Sequence, residues 1–518
     1  MNQQRLFLGC FIALVATAFG FAVRSNIQPL WAAEFQLTNE QVGYLGGVGL
    51  YPFAISIILL SLIVDKIGYN RAMAFAFFAH LASAVLTLTA QSFGMLYFAT
   101  FLYALANGAV EAVINPVVAT IYDKNKTHWL NILHAGWPGG LVVGGLLSIV
   151  IARLMPGASW KYQMAIVFLP TILYGILLFG QKWPVQERVA AGVTYMDMLR
   201  EFGWGSAYIC SFLLIAGINQ ILLVAKIPSL PLTYTAVAAI VPAVIFGIVV
   251  KSFGRPMFVL LLFVMMLLAT TELGTDGWMP TIIGAILQNS EHGALFLVYT
   301  SFIMFVLRFF AGPIVHRISP LGLLALCAAI AAIGLTWLSF AGTAALTLFV
   351  AATFYAFGKT FFWPTTLGVI SEQFPKGGAL MLNAISGVGM IAVGTLGGPG
   401  IGFVQDQDAA AIIQAEDATL ATKVISDKQG LFGDHKAIDQ VKVDALPAED
   451  KSTVTAIDAR SKQGTLRKIA ILPTIMCAIY IGLIVYFQSR GGYTAQVLTG
   501  HAAEDEKFTG GLRAPMEG

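Results

Sequence analysis

Charge is what this chain has least of. Only 11% of its 518 residues are Asp, Glu, Lys or Arg, while 57% are hydrophobic and mean hydropathy is +0.78. Soluble domains carry roughly 25% charged residues. A deficit of that size over the whole length is not one anchor on a soluble body; apolar side chains must cover most of the surface, which only lipid tolerates. The formal charge of +3 gives no basis for a nucleic-acid partner. Cysteine is scarce too. Cys10, Cys210, Cys327 and Cys477 all fall in apolar segments, where they serve as small packing residues rather than disulfides or metal ligands. There is no phosphate-cradling Gly-Lys loop, metal-ligand cluster or nucleophile elbow, so neither an enzyme nor a cofactor is expected. A cleaved leader is not expected either. The apolar run 6–23 exceeds the roughly 7–15 residues of a signal core, and no small-x-small site closes it before Arg24, Ser25 and Asn26.

What the chain has instead is long apolar runs. A spanning helix needs about 20 such residues. Fourteen segments qualify: 6–32, 42–64, 72–90, 94–121, 131–153, 161–180, 205–225, 232–250, 256–286, 294–315, 320–340, 343–370, 380–404 and 469–487. Lys66, Arg71, Lys124, Lys126, Lys182, Arg188, Arg200, Lys251, Arg255 and Arg317 fall in loops on one side. The opposite loops 33–41 and 287–293 carry no Lys or Arg, and 154–160 is merely flanked by Arg153 and Lys161. Basic short loops face the cytoplasm, so both termini are expected there, in the cell (inner) membrane. The polar segment 405–467 falls outside, as a small folded cap or a mobile loop; long loops escape the charge rule.

The chain also repeats itself. Ser-Leu-Ile-Val-Asp-Lys-Ile-Gly at 61–68 matches Gly-Pro-Ile-Val-His-Arg-Ile-Ser at 312–319, an offset of 251 that also pairs Pro29 with Pro280. An offset of 252 pairs Tyr103-Ala104 with Tyr355-Ala356 and Leu130-Asn131 with Leu382-Asn383. Anchors in several helices hold one register, which implies two parallel six-helix halves with a solute site between them. The surplus in the offset is the pair 205–225 and 232–250. The expected fold is an all-α polytopic membrane protein of two six-helix bundles plus two inserted helices. Its parts are an N-terminal bundle (1–180), a linker with the inserted helices (181–251), a C-terminal bundle (252–404), an outer loop (405–467), a last core helix (468–490) and a tail (491–518).

The residues Ser61-x-x-x-Asp65-Lys66-x-Gly68-x-x-Arg71 resemble the loop between helices 2 and 3 of the major facilitator superfamily, with Ser where Gly is usual. The resemblance implies a gating latch at the cytoplasmic helix ends formed by Asp65, Lys66, Gly68 and Arg71. A narrower likeness is carried by Glu111-Ala-Val-Ile-Asn115-Pro116, by Leu130-Asn131-Ile-Leu-His134, and by Glu272 followed by Trp278. These are similar to the fucose–galactose–gluconate proton symporters. That implies proton-coupled symport of a monosaccharide or similar hydroxylated solute, with proton or sodium as the coupling ion. Aligned on Leu37-Thr38-Asn39, that family's helix-1 Asp falls at Ser25, beside Arg24. Its helix-5 Gln falls at His134 and its following Asn at Trp137. The coupling machinery therefore differs.

Mid-span charges cost at least roughly 2.5–3.5 kcal/mol each, so each needs a reason. Glu111 is a candidate proton carrier; the plainer reading makes it the partner of Arg24, tying helices 1 and 4. Glu272 and Asp276 share a helix face, and the plainer reading gives them a salt bridge to Lys359 or Arg308. Asp276 is the repeat mate of Ser25, which would restore the missing carboxylate from the other half and point it into the cavity. Lys359 is read as an anion binder or as the neutraliser of Glu272, and Arg308 as a snorkelling residue. His134 is a proton shuttle or a structural imidazole; His80 is structural. Asn26, Gln28, Asn115, Asn131, Trp137, Trp278, Trp363 and Asn383 supply the amide and aromatic mix that binds sugars. Glycine clusters 136–145 and 394–402 serve close helix packing. A carrier of nucleosides or organic anions is the alternative if Lys359 and Arg24 face the cavity. A transport-fold sensor or accessory subunit is a third reading, against which the midplane charges count.

Overall fold

The computed structural model describes residues 2–37, 45–224, 227–288, 290–428 and 430–498. Thr38, Asn39 and most of the tail 491–518 lie outside them. In chain order the apolar helices are α1 (Gln3–Glu34), α2 (Leu45–Ile67), α3 (Tyr69–Leu88), α4 (Phe93–Ile121), α5 (Lys126–Leu154), α6 (Lys161–Leu178), α7 (Tyr195–Leu223), α8 (Leu232–Val250), α9 (Pro256–Ile286), α10 (Ser290–Arg308), α11 (Arg317–Phe340), α12 (Ala345–Gln373), α13 (Pro375–Glu416) and α14 (Ala448–Gln488). Among the described residues, 13 of these are long and apolar enough to cross a membrane, and α10 is apolar over Leu295–Arg308. The shortness of α10 has a local cause. The helix breaks at Phe309 and Phe310, where the Phe310 N–H reaches back to the Leu307 carbonyl at 2.9 Å. It then resumes from Ala311 and turns at Ser319 (φ +64) before Pro320, because the residue before proline is pushed out of the helical region.

The end bearing the basic short loops is called here the basic end, and the opposite one the cap end. The repeat is visible in side-chain bonding. The Tyr103 hydroxyl on α4 donates to the Thr17 carbonyl of α1, and its repeat mate Tyr355 on α12 donates to the Thr271 carbonyl of α9. The first glycine cluster lets α5 lie against α1: a Cβ at Gly140 would stand 2.6 Å from the Val15 carbonyl oxygen, and one at Gly144 2.8 Å from that of Phe19. The second cluster coincides with a π-helical turn in α13 (Val393–Gly397), set against a π-turn in α9 (Thr270–Gly274).

Helix α7 packs on the outside of the bundles. The Tyr51 hydroxyl of α2 donates to Gln220 at 2.7 Å, and a Cβ at Gly217 would meet Thr395 of α13. Helix α8 lies on α7, with Asn219 donating to Thr235 at 2.6 Å, and exposes Val241, Ile245 and Ile248 to the surroundings. At the cap end α13 runs on to Glu416. A short helix (Ala418–Val424) leads into an antiparallel pair of strands, β1 (Ile425–Lys428) and β2 (His435–Ile438), with Ile425 opposite Ile438. Helix α14 then returns. Ile413, Leu420, Val424, Val443, Val454 and Ile457 form a separate small core, so this segment is a folded cap.

At the basic end the bundles are clasped. Lys126 donates to Glu187 at 2.5 Å and to the Ser371 carbonyl at 3.3 Å, and the Thr127 hydroxyl donates to Glu372 at 2.6 Å. Asp65 pairs with Arg188 on a short linker helix (Glu187–Ala190), and the Lys66 ammonium lies 4.6 Å over the Tyr195 ring. Gly68 takes φ +82, a conformation open to glycine. Arg71 is exposed.

Candidate functional site

The site begins with backbone irregularities. Helix α5 is interrupted at Ala135, α12 at Thr360 and Phe361, and α9 carries its π-turn. Such breaks leave carbonyl groups without helical partners, and inside a membrane they must be satisfied by protein. Arg308, the last residue of α10, does this at two of them, α5 and α12, and at the third it holds a side-chain carboxylate. Its Nη1 donates to the His134 carbonyl at 2.6 Å, its Nε to the Thr360 carbonyl at 2.8 Å, and its Nη2 to Glu272 Oε1 at 3.0 Å. A planar guanidinium presents five donors in a rigid fork and so reaches three acceptors lying in different directions, whereas an ammonium offers three donors from a single point. The first of these bonds crosses from the C-terminal bundle to the N-terminal one.

Around Arg308 is a cavity of about 30 Å³, lined by Phe53, Glu111, His134, Trp137, Glu272, Leu273, Arg308, Trp363 and Met390. Both halves contribute. Among the described residues Glu111 has one side-chain hydrogen bond, from the Asn115 amide at 3.5 Å, and no ion pair. The Asn115 carbonyl meets His134 Nε2 at 3.0 Å, so Asn115 ties Glu111 to His134. The second Glu272 oxygen, Oε2, is buried and has no partner.

Several expected site residues lie elsewhere. Arg24 does not meet Glu111 in this structure. It donates to Ser83 at 2.8 Å and Thr87 at 3.3 Å and lies 4.1 Å over the Tyr103 ring, because its side of α1 faces α3. Asp276 does not line the cavity; its carboxylate pairs with the fully buried Lys359, which is thereby held by Asp276 and not by Glu272. Asn26 bonds to the Gly145 carbonyl at 3.2 Å. Asn131 bonds to Thr127 and, across the bundles, to Thr365 at 3.1 Å; Asn383 bonds across them to the Ala112 carbonyl at 3.0 Å. Gln28 is half-buried on α1 away from the cavity. Trp278 donates to the Gly398 carbonyl at 3.0 Å and faces a different cavity, beneath the cap.

Arg308 is the residue that the sequence reading misplaced. One signal was available. Arg308 precedes the basic-loop residue Arg317 by nine positions, about 13 Å along a helix at 1.5 Å per residue. That is deep for snorkelling.

Comparison with known proteins follows the same architecture. The family model of the Major Facilitator Superfamily matches residues 9–402. The cis,cis-muconate transport protein of Acinetobacter baylyi is 27% identical over 189 residues, 36% of this chain and 45% of that protein. The probable 4-methylmuconolactone transporter of Cupriavidus pinatubonensis is 26% identical over 155 residues, 30% of this chain and 35% of that one. The chain thus spans less than half the length of either relative. Among solved structures, the proton:xylose symporter XylE of E. coli matches with a TM-score of 0.61 at 13% identity, over 93% of this chain and 95% of that one, a likeness of fold alone. The family match covers most of the chain and agrees with the two-bundle arrangement: the chain belongs to the Major Facilitator Superfamily.

Proposed function

We propose that this chain is a secondary carrier that moves a carboxylate-bearing solute, together with a proton, by alternating access. We further propose that its basic end faces the cytoplasm of the cell that carries it in its inner membrane. The observation that supports this best is Arg308: a buried guanidinium at mid-depth, on the wall of a cavity between the halves, holding a carboxylate. Guanidinium is the side chain suited to planar, bidentate carboxylate recognition. A solute carboxylate would take the place of Glu272 on Arg308, and the displaced Glu272 would take up a proton rather than stay as an unpaired buried charge. Glu111, which has no counter-ion, is the second proton acceptor. The rings of Trp137 and Trp363 supply flat apolar walls for an unsaturated body. Both sequence relatives are named for compounds of that kind, a muconate and a muconolactone.

The monosaccharide reading is less well supplied. It needs amides at the cavity, and none of Asn26, Asn115, Asn131 and Asn383 lines it; their amide nitrogens go to Gly145, Glu111, Thr127 and Thr365, and Ala112. At about 30 Å³ the cavity has room for a water or two, so a solute enters only when the bundles part.

The test is uptake into proteoliposomes of labelled cis,cis-muconate, gentisate, fucose and xylose, with and without an inward proton gradient. Repeating it with sodium replaced by potassium separates the coupling ions. Gradient-driven accumulation of a carboxylate and not of either sugar is expected. Accumulation of a sugar alone would refute the carboxylate reading.

A further inference from the structure

Trp278 sits two residues beyond Asp276 on α9, yet the central cavity does not use it. It lines a second cavity of about 570 Å³ between the cap ends of α9 and α13 and the cap itself. That volume falls within the roughly 300–1,000 Å³ of small-ligand pockets; the central cavity, as it stands, does not.

The wall of this cavity has the chemistry of a binding site. Gln405 lines it, is only 5% exposed, and its side-chain amide nitrogen has no partner. A buried donor left unmade is costly, and an acceptor brought by a ligand would satisfy it. Three rings face the same space. Phe403 and Phe432 lie with centroids 5.5 Å apart, and Trp278 is held edge-on to the backbone by its bond to Gly398. Two cations complete the wall. Lys428 pairs with Asp406 at 2.9 Å and Lys462 with Asp458 at 2.6 Å, while His435 Nε2 lies 3.3 Å from Asp406. The Lys428 side chain is 58% exposed and that of Asp458 is 35% exposed. An ion pair as open to water as that of Lys428 holds weakly, so Lys428 can exchange its aspartate for a ligand carboxylate, while Lys462, 18% exposed, adds a second positive charge beside it.

We propose that the cap cavity is a second binding site for the carboxylate solute, an entry site in which the planar body lies among Trp278, Phe403 and Phe432. Its acceptor oxygens meet the Gln405 amide and Lys428. This inference rests on the carboxylate reading of the central cavity and gives the cap a role in that transport. It also links the two sites physically. Trp278 shares α9 with Glu272, and its hydrogen-bond acceptor, Gly398, directly follows the π-turn of α13. A ligand against Trp278 thus presses on the two irregular segments that pack together above the central site.

The experiment is equilibrium binding of labelled cis,cis-muconate to the full chain in lipid nanodiscs, compared among the wild type, Gln405→Met, Lys428→Met and Arg308→Lys. Two sites per chain are expected. Gln405→Met keeps the side-chain volume and removes the donor; it should weaken one site about tenfold, the effect of losing one hydrogen bond to a charged group. Lys428→Met alters an exposed residue, so its folding is secure, and it should weaken the same site. Arg308→Lys should weaken only the other. A single site, lost in Arg308→Lys and unchanged in both cap variants, would overturn the entry site and leave the central reading standing. A single site lost only in the cap variants would support the entry site and count against the central reading. Absence of muconate binding altogether, with labelled gentisate run in parallel and also not bound, would overturn both.

Discussion

Removing Arg308 tests the centre of the site most directly. In Arg308→Ala three bonds disappear together: those to the His134 carbonyl, the Thr360 carbonyl and Glu272, at 2.6, 2.8 and 3.0 Å. The largest single loss is the ion pair, because both side chains are nearly inaccessible, at 2% and 4% exposure. Breaking a buried pair from one side costs about 3–5 kcal/mol, since the remaining charge is stranded. The two carbonyls add about 1.5–3 kcal/mol each as bonds to a charged donor. Glu272→Gln should be milder, because Arg308 keeps both carbonyls and can still accept the Gln oxygen as a partner. The double variant Arg308→Ala/Glu272→Gln should then be more stable than Arg308→Ala alone, with a coupling energy of about 1.5–3 kcal/mol. The four proteins can be compared by unfolding in mixed micelles titrated with a denaturing detergent, monitored by tryptophan fluorescence. Additivity within about 0.5 kcal/mol would show that the two charges do not depend on one another, and the displacement mechanism would fail with it.

Three further outcomes follow from the same geometry. Glu111→Gln should abolish uphill, gradient-driven uptake yet keep counterflow exchange; loss of both would move Glu111 from proton transfer to solute binding or folding. In the outer pair, Asp276→Asn should destabilise more than Lys359→Met, because the Asp276 side chain is 18% exposed and can rehydrate while Lys359 is fully buried; equal losses in detergent unfolding would contradict this. Asp65→Asn removes the carboxylate that Arg188 holds at the basic end, so spin labels on either side of the clasp should show a longer distance component. An unchanged distance distribution would mean that the linker helix bears no part of the closure.

Helix count, the repeat and the two-bundle plan were legible because they rest on composition and register, which survive without knowing how any helix is rotated. Of the residues expected at cavity depth, Trp137 and Trp363 line one cavity with Glu111, His134 and Glu272, whereas Asn26, Gln28, Asn115, Asn131, Trp278 and Asn383 do not. Rotation was not legible. Arg24 and Glu111 have compatible depths, but the Arg24 side of α1 looks at α3, where Ser83 and Thr87 take the guanidinium. For the two α9 carboxylates, Lys359 and Arg308 were legible as partners, but not which takes which. Asp276 and Glu272 share a face one turn apart, and the π-turn between Thr270 and Gly274 adds a residue to that turn, so the two carboxylates separate: one goes to Lys359 and the other to Arg308. The cap core escaped because its members, from Ile413 to Ile457, are spread thinly through a polar stretch and meet only when α13 and α14 both extend beyond the apolar zone.

The polar links between bundles fall into two tiers, and the tiers have different mechanical meaning. At the basic end Lys126 and Thr127 of the N-terminal bundle reach Ser371 and Glu372 of the other. At mid-depth Arg308 reaches the His134 carbonyl, and Asn383 reaches that of Ala112. When two bundles rock about an axis near the membrane centre, displacement grows with distance from that axis. The basic-end contacts must therefore part if the cavity is to open there, whereas the central ones move little. This difference explains why the buried guanidinium is bonded to backbone on one side and to a side chain on the other. Its carbonyl bonds can persist through the cycle as part of the pivot. Its bond to Glu272 joins two side chains, each with torsional freedom, so on the proposed carboxylate reading it is the bond to be exchanged, without disturbing the helix breaks that Arg308 holds together.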